Sequence, residues 1–535
     1  MQARTIVLLG AGSSADAGLP LTSELASQII TMANEEYDPP LQWRNSPSWV
    51  KALNAAYGGM VSHQSNRGHS PLSAVNIETL ISAIRLLQDP DGHEVAPFVA
   101  SWSPVLNSFS DPTLDRAAGR KIAESVGKLL GSRTSFADRD IAEAVAKIAR
   151  SSNIPNSKPL FTRAEDFILQ TLTQLLSATV DVNYLQPIVD LSQSQAGGVD
   201  VITLNYDLTI ERVAASAGVA LNRGIEAWRP GGELDLPPAD NSINLLKLHG
   251  SLDWQSAGDP AFVTNSLDLP QIEVVDPDDM SELATGRRRP WIIVGDRGKL
   301  ETEGPTLALN FAARKALDRA THLAVVGYSF GDSHVNSLIR DWLAFDDTRT
   351  ISILDRSWHL GQRNNERDFR TALVEHYSRE KDYDGNPVSP RLVGVKGTAA
   401  SHLADVLAAR PAMPKAPSLE LHEKVASGGR AIVATWHGAH LYNAYISADS
   451  ISETESSPNF AVQLLLKSEE GMPATNLSDL SRRANDYVAP INLEELADGE
   501  SLELLLPGDA PDRLSIQVNG LTLTGSRKHA SCRTR

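Results

Sequence analysis

What constrains this chain most is a series of short apolar runs that lack polar alternation and close on glycine or polar residues. They lie at residues 6–9, 199–204, 243–248, 291–294, 323–326, 351–354 and 392–395. A strand with one wet face alternates, whereas a run that is apolar throughout is buried on both faces, as when helices cover a parallel sheet. The expected fold class is therefore α/β. Between the first and second runs, over about residues 35–190, the spacing turns helical. Residues 77–87 and 167–176 repeat apolar side chains at intervals of three and four, which implies a helical insertion packed beside the sheet.

A chain of 535 residues exceeds what one core usually serves, so two domains are expected. Pro411, Pro414 and Pro417 interrupt the pattern, and Gly428 with Gly429 follows. The reading is a large domain at 1–410, a linker at 411–429, a small β-rich C-terminal module at 430–525 and a polar, basic tail at 526–535. The module's runs at 431–436, 460–466 and 514–518 read as strands.

The formal charge of −17 argues against a standing grip on nucleic-acid phosphate, which is driven by Lys and Arg. Arg287, Arg288 and Arg289 form the one tight cationic run, read here as a solvated loop. The single cysteine, Cys532, excludes an internal disulfide or a cysteine zinc site within one chain. The first apolar run starts almost at Met1, so no secretory leader is read, and no apolar run reaches the roughly eighteen residues of a membrane span. The expected location is the cytoplasm.

The first run leads directly into Gly10-Ala11-Gly12-Ser13-Ser14-Ala15-Asp16-Ala17-Gly18-Leu19-Pro20. Glycines after a strand permit a tight turn and let backbone N–H groups approach a pyrophosphate, which makes the sheet Rossmann-like. An ordinary dehydrogenase would also show a second strand ending in an acidic residue about twenty positions on, and none leads into Glu35 or Glu36. The second run ends in Thr203-Leu204-Asn205-Tyr206-Asp207, and the third in Leu248-His249-Gly250-Ser251-Leu252-Asp253-Trp254. The fifth continues into Gly327-Tyr328-Ser329-Phe330-Gly331-Asp332, and the sixth ends in Asp355-Arg356. Each sits where ligands bind in open α/β sheets, at a strand's carboxyl end, although each alone also reads as a turn or a helix cap.

In this order, the set resembles the sirtuin superfamily over roughly the first 400 residues. The resemblance rests on Gly10-Ala11-Gly12-Ser13, Gly18-Leu19-Pro20, Asn205, Asp207, His249-Gly250, and Gly327 with Ser329. It implies that Asn205 and Asp207 sit by the nicotinamide ribose and that His249 acts on ribose hydroxyls. Two departures are visible. Leu204 and Tyr206 flank the Asn where the family usually has Gln and Ile. The segment from Gln255 to Pro290 has no cysteine, is acidic around Asp276, Asp278 and Asp279, and so lacks the family's four-cysteine zinc module. Protein deacetylation therefore loses most of its support.

With the helical segments near Asn76-Ile77-Glu78 and Ala164-Glu165-Asp166, the chain looks most like the bacterial sirtuin-like proteins of anti-phage defence, which deplete NAD. What the resemblance implies is an NAD glycohydrolase that takes NAD as substrate and needs no zinc. Asn205, His249 and Asp207 would carry the chemistry. Gly10, Ala11, Gly12, Ser13, Asp16, Gly18, Pro20, Thr203, Gly327, Ser329 and Asp355 would hold NAD. The expected partners are NAD, with a homo-oligomer or a partner defence protein, and neither nucleic acid nor membrane. A non-catalytic NAD or ADP-ribose binding module and an ADP-ribosyl transferase remain alternatives.

Overall fold

The computed structural model describes residues 4–37, 47–66, 75–88, 158–178, 180–257, 271–275, 290–293, 304–356, 368–380, 388–412, 416–426, 429–450, 463–468, 475–476, 491–506, 510, 512–522 and 527–534. The cationic run Arg287 to Arg289 and residues 89–157 of the expected helical insertion lie outside them.

Six of the seven expected runs enter one parallel sheet. In chain order they are β1 (Thr5–Leu9), β2 (Val199–Thr203), β4 (Ser242–Lys247), β8 (His322–Val326), β9 (Thr350–Asp355) and β10 (Leu392–Lys396), joined by a short strand β3 (Ala220–Asn222). The seven strands run in the order β10-β9-β8-β1-β2-β4-β3. Every residue of β1, β2, β4 and β8 is buried, as runs without polar alternation require. From β1 the chain builds outward through β2 and β4, then returns to place β8 on the other side of β1. The gap between β1 and β8 is thus the point where strand order reverses, the usual ligand crevice of such sheets.

The run at 291–294 behaves differently. It forms β7 (Pro290–Ile292), which pairs antiparallel with β5 (Gly250–Ala257); β6 (Gln271–Val274) pairs with the other edge of β5. An apolar run this short does not reveal which sheet it joins.

Helices α1 (Thr22–Tyr37), α2 (Ser48–Asn66), α3 (Ile77–Gln88) and α4 (Lys158–Leu176) follow β1, with α5 (Gln186–Ser194) leading into β2. Helix α3 buries Ile77, Leu80, Ile81 and Ile84, one stripe at helical spacing, in a core shared with Leu53 of α2 and Phe161, Ile168 and Leu172 of α4. Asn76 caps it, its Oδ1 accepting from the Thr79 N–H at 2.7 Å. Glu165 of α4 joins the two helices through Arg85 Nε at 2.8 Å and Gln88 Nε2 at 2.7 Å. Helices α6 (Thr209–Ala217), α7 (Thr306–Asp318), α8 (Ser333–Phe345), α9 (Phe369–Tyr377) and α10 (Ala399–Ala408) follow β2 along the chain.

The chain divides into two compact units. One comprises Met1–Ala320, Val325–Trp342 and Thr398–Ala404, and the other Thr321–Ala324, Leu343–Gly397 and Asp405–Arg535. The second unit ends in antiparallel sheets. One has the order β11-β12-β17-β14-β15 and the other β16-β13-β18-β19, where β11 is Ser418–Ala426, β12 Gly429–His437, β13 Leu441–Ser450, β14 Gln463–Ser468, β15 Thr475–Asn476, β16 Ile491–Leu496, β17 Ser501–Leu506, β18 Leu514–Leu521 and β19 Arg527–Arg533. Strands β17 and β18 alternate buried and half-buried residues, and Leu502, Leu504, Leu506, Ile516 and Val518 meet Trp436 in one core. Two segments differ from the sequence reading. Residues 418–426, expected within a linker, form β11, and the polar tail forms β19, which pairs with β18 from Ser515↔Arg533 to Leu521↔Arg527. A terminal edge strand needs only one apolar anchor, here the buried Ala530, and its Arg and Lys residues suit an exposed edge.

His322 opens β8, with Nδ1 2.8 Å from Thr350 Oγ1 and Nε2 2.9 Å from Ser352 Oγ. Burial first, and the Arg410 charge second, push its pKa down to about 3. The folded state therefore favours the neutral ring. Its contribution is fully present above the unfolded pKa of about 6.5 and is lost as pH falls toward 3. Denaturant unfolding of wild type and His322→Gln across pH 7 to about 3.5 is expected to show the wild type losing more stability on acidification; parallel curves would remove His322 from the pH response.

Candidate functional site

In a parallel sheet all carboxyl ends share one edge, so the loops after β1, β2, β4 and β8 emerge side by side. The loop after β1 and the loop after β8 touch backbone to backbone. Gly10 N–H donates to Val326 O at 3.0 Å and Gly12 N–H to Gly327 O at 2.9 Å. A Cβ on Gly10 would stand 2.6 Å from Tyr328 Cα, and one on Gly12 would stand 2.9 Å from Gly327 Cα. Gly327 has φ +63°, and a Cβ there would lie 2.2 Å from the Ser13 nitrogen. These glycines are therefore required by the contact between the two loops. The amides of Gly10, Gly12, Ser13 and Ser14 all donate inside the protein. In the folded loop these four amides serve the protein's own carbonyls.

Asn205 follows β2 and is buried. Its Nδ2 donates to Gly10 O at 3.1 Å, Ser13 Oγ at 3.2 Å and Ser14 Oγ at 3.0 Å, and its backbone N–H donates to Thr203 Oγ1 at 3.1 Å. The side-chain amide is thus clamped to the glycine loop by its nitrogen. Tyr184 also reaches this loop, its hydroxyl donating to Ser13 O at 2.8 Å. Burial, and then the charge of Asp207, push the Tyr184 phenol above its ordinary range, so it stays a donor.

Asp207 Oδ1 accepts from the Thr209 N–H at 3.1 Å and the Thr209 hydroxyl at 2.7 Å, which shapes the start of α6. Beneath this turn lies Lys247, the last residue of β4, with a fully buried side chain. Its ammonium donates to Asp207 O at 2.5 Å, Tyr206 O at 3.4 Å and Glu211 Oε1 at 2.8 Å. Burial pushes the Glu211 carboxyl up against the pull of Lys247. Sequence reasoning did not single out Lys247, because a lysine ending an apolar run reads as a solvated terminus.

His249, just past β4, is buried, and its Nε2 lies 2.9 Å from Asp332 Oδ2. Its Nδ1 is 3.9 Å from Glu78 Oε1 of α3 and has no hydrogen-bond partner among the described residues. The Tyr206 ring stands 6.5 Å from the imidazole, and its hydroxyl donates to Ile293 O at 3.2 Å and lies 3.4 Å from Glu78 Oε1. Burial, with Glu78 second, holds the Tyr206 phenol well above its ordinary range. Tyr206 thus lies between helix α3 and the histidine. Asp332 Oδ1 caps α8, accepting from His334 N–H at 2.9 Å. The Tyr328 hydroxyl accepts from Asp332 N–H at 3.1 Å and lies 3.0 Å from both Asp332 O and Asn336 Oδ1. Phe330 within this turn has φ +59°, strained for a side-chain-bearing residue.

The other expected contacts are more dispersed. Ala11 and Ser13 form a short 3₁₀ turn directly after Gly10. Asp16 Oδ2 accepts from the Ala400 N–H at 2.7 Å, at the start of α10. Gly18 has φ +82° with open space around it, and Pro20 is half-buried before α1. Ser329 is exposed. Asp355 belongs to the second unit, where its Oδ2 pairs with Arg370 Nη1 at 2.7 Å. Among the described residues, no group of three or more His, Cys, Asp or Glu is placed to hold a metal. Asp276, Asp278 and Asp279 lie outside them.

The two left-handed glycines separate conformation from contact. Gly18→Ala meets no atom and is expected to cost about 1–2 kcal/mol for its left-handed backbone alone. Gly327→Ala adds a collision with the Ser13 and Gly12 backbone and is expected to lower the unfolding temperature substantially more. Equal shifts in thermal unfolding would mean that the loops do not need their close approach.

A family model of the SIR2-like domain matches residues 199–378. That span takes in Asn205, Asp207, His249 and the β8 loop, and starts after the glycine loop. Among solved structures, the chain is similar to one described as the structural basis for the mechanism and regulation of Sir2 enzymes, at 16% identity over 47% of this chain and 79% of that one, with a TM-score of 0.27. It also matches the serine-rich repeat protein Srr2 from Streptococcus agalactiae, at 10% identity over 24% of this chain and 50% of that one, with a TM-score of 0.15. Neither superposition is close enough to bear weight, and no curated protein matches. The family match and the ordered motifs agree on this stretch: the chain carries a SIR2-like domain over residues 199–378.

Proposed function

We propose that this chain is an NAD glycohydrolase that releases nicotinamide and ADP-ribose. The observation that carries the reading is the convergence of Asn205 and His249 at one sheet edge, next to the strand-order reversal. Asn205 is clamped there by Nδ2, and His249 keeps a buried Nδ1 with no hydrogen-bond partner among the described residues. A module that only held ADP-ribose would need neither arrangement.

The bond from ribose to nicotinamide breaks through an oxocarbenium-like transition state, and the leaving group is already cationic. Its bonding electron pair departs with nicotinamide, which leaves neutral, so no strong acid is needed. Water adds to the anomeric carbon and gives up one proton. With Nδ2 held by the loop, Asn205 presents Oδ1 to that water or to a ribose hydroxyl. His249 accepts a hydroxyl proton at its unpartnered ring nitrogen. Asp207 supports the pocket through the turn it builds with Thr209. Positioning and charge stabilisation of this kind supply several kcal/mol each.

The resemblance to anti-phage proteins supports a role as effector of an abortive-infection system. The β-rich module would then take the sensing or assembly role, with a homo-oligomer or a partner protein as the control.

Asn205→Ala is expected to lower NAD turnover about a hundredfold or more while the unfolding temperature stays within a few degrees of wild type. In a bacterial host, wild type but not Asn205→Ala should drain NAD after phage challenge. Wild-type turnover in a folded Asn205→Ala protein would overturn the assignment, and NAD unchanged by phage would remove the defence role.

A further inference from the structure

Asp332 has two oxygens with two different tasks. Oδ1 caps α8, and Oδ2 stands 2.9 Å from His249 Nε2, within hydrogen-bond reach but off full alignment. Both residues are more than nine-tenths buried. The turn that carries Asp332 cannot drift. The Tyr328 hydroxyl grips the Asp332 backbone, Asn336 Nδ2 donates to Phe330 O at 2.8 Å, and Phe330 is locked in a left-handed conformation.

We propose that Asp332 is the positioning residue for His249, holding the ring as the Nε2–H tautomer so that Nδ1 is the proton-accepting atom. This rests on the NAD-cleaving reading above. The tautomer follows from what faces each nitrogen. A lone pair on Nε2 would stand 2.9 Å from a carboxylate oxygen, which is repulsive, whereas a proton on Nε2 is attracted to that oxygen even off alignment. On the other side, Glu78 Oε1 at 3.9 Å is beyond hydrogen-bond reach, so an Nδ1–H would be buried without an acceptor. Glu78 also lies beside the Tyr206 hydroxyl at 3.4 Å. One arrangement avoids both penalties: the proton on Nε2, beside the Asp332 carboxylate, and a lone pair on Nδ1. When Nδ1 takes a proton from a ribose hydroxyl, the resulting imidazolium stands against the Asp332 carboxylate, and that contact strengthens as charge develops.

The test uses the full chain. Asp332→Asn keeps a side-chain oxygen for the α8 cap but can turn an amide N–H toward Nε2; Asp332→Ser keeps a cap and withdraws from the ring. Both are expected to retain the wild-type unfolding temperature and to lose about a hundredfold or more in kcat, with KM for NAD little changed. Nitrogen-15 spectra of histidine-labelled protein, with His249 assigned by His249→Gln, should show the Nε2–H tautomer in wild type and a shift toward Nδ1–H in Asp332→Asn. An Nδ1–H tautomer in wild type, a folded Asp332→Asn protein with wild-type kcat, or losses that merely track a lowered unfolding temperature would each overturn the proposal. If the chain cleaves no NAD at all, the glycohydrolase reading fails, while the tautomer spectra still decide the role of Asp332.

Discussion

The site depends on the contact between the loop after β1 and the loop after β8. Three glycine positions, Gly10, Gly12 and Gly327, let two backbones approach until a single Cβ would collide. That approach draws together two loops whose glycines are more than three hundred residues apart in sequence. Every other feature of the edge refers to it. Asn205 spends its side-chain nitrogen on the first loop, Tyr184 hydrogen-bonds the same loop, and the second loop delivers Asp332 to His249. If the loops part, Asn205 loses its clamp and His249 loses its neighbour. Pre-organisation here is a property of backbone packing.

A second constraint is charge taken out of water. Lys247 lies fully buried under the Tyr206–Asp207 turn, and its ammonium is matched by two carbonyl oxygens and Glu211. A buried ammonium is tolerated only when its donors are satisfied in this way, and removing one partner of such a pair is far costlier than losing a surface ion pair. The polar groups that face the edge therefore rest on a charged floor that fixes where the turn can lie. Asp207 belongs to that floor as much as to any pocket.

Much of this was legible in the sequence because buried parallel strands announce themselves by composition. Six of the seven apolar runs entered the sheet, and the helical stripe at Ile77, Leu80, Ile81 and Ile84 follows the expected face. The run at 291–294 did not, since an apolar triplet looks alike in either sheet. Strand β3 escaped notice because Ala220–Asn222 is short and half-exposed. Strand β19 escaped notice because an edge strand needs almost no apolar signal. The site divides in the same way. Asn205 and His249 stand out by their place at strand ends. Lys247, Glu78 and Asp332 act through partners 36 to 171 residues away, as in the Lys247 bond to Glu211 and the Asp332 contact with His249, and no local pattern encodes such pairings. The glycines were seen, but their close approach to the loop after β8 was not: the space that they vacate is filled by Gly327 and Tyr328.

The central claim is that this edge transfers the ADP-ribosyl group of NAD to water. The most direct measurement is to incubate the full chain with NAD in ¹⁸O-labelled water and to analyse nicotinamide, ADP-ribose and protein together. The account predicts equal amounts of nicotinamide and free ADP-ribose, with one labelled oxygen on each ADP-ribose. Unlabelled ADP-ribose attached to protein, or NAD bound and recovered intact, would contradict it.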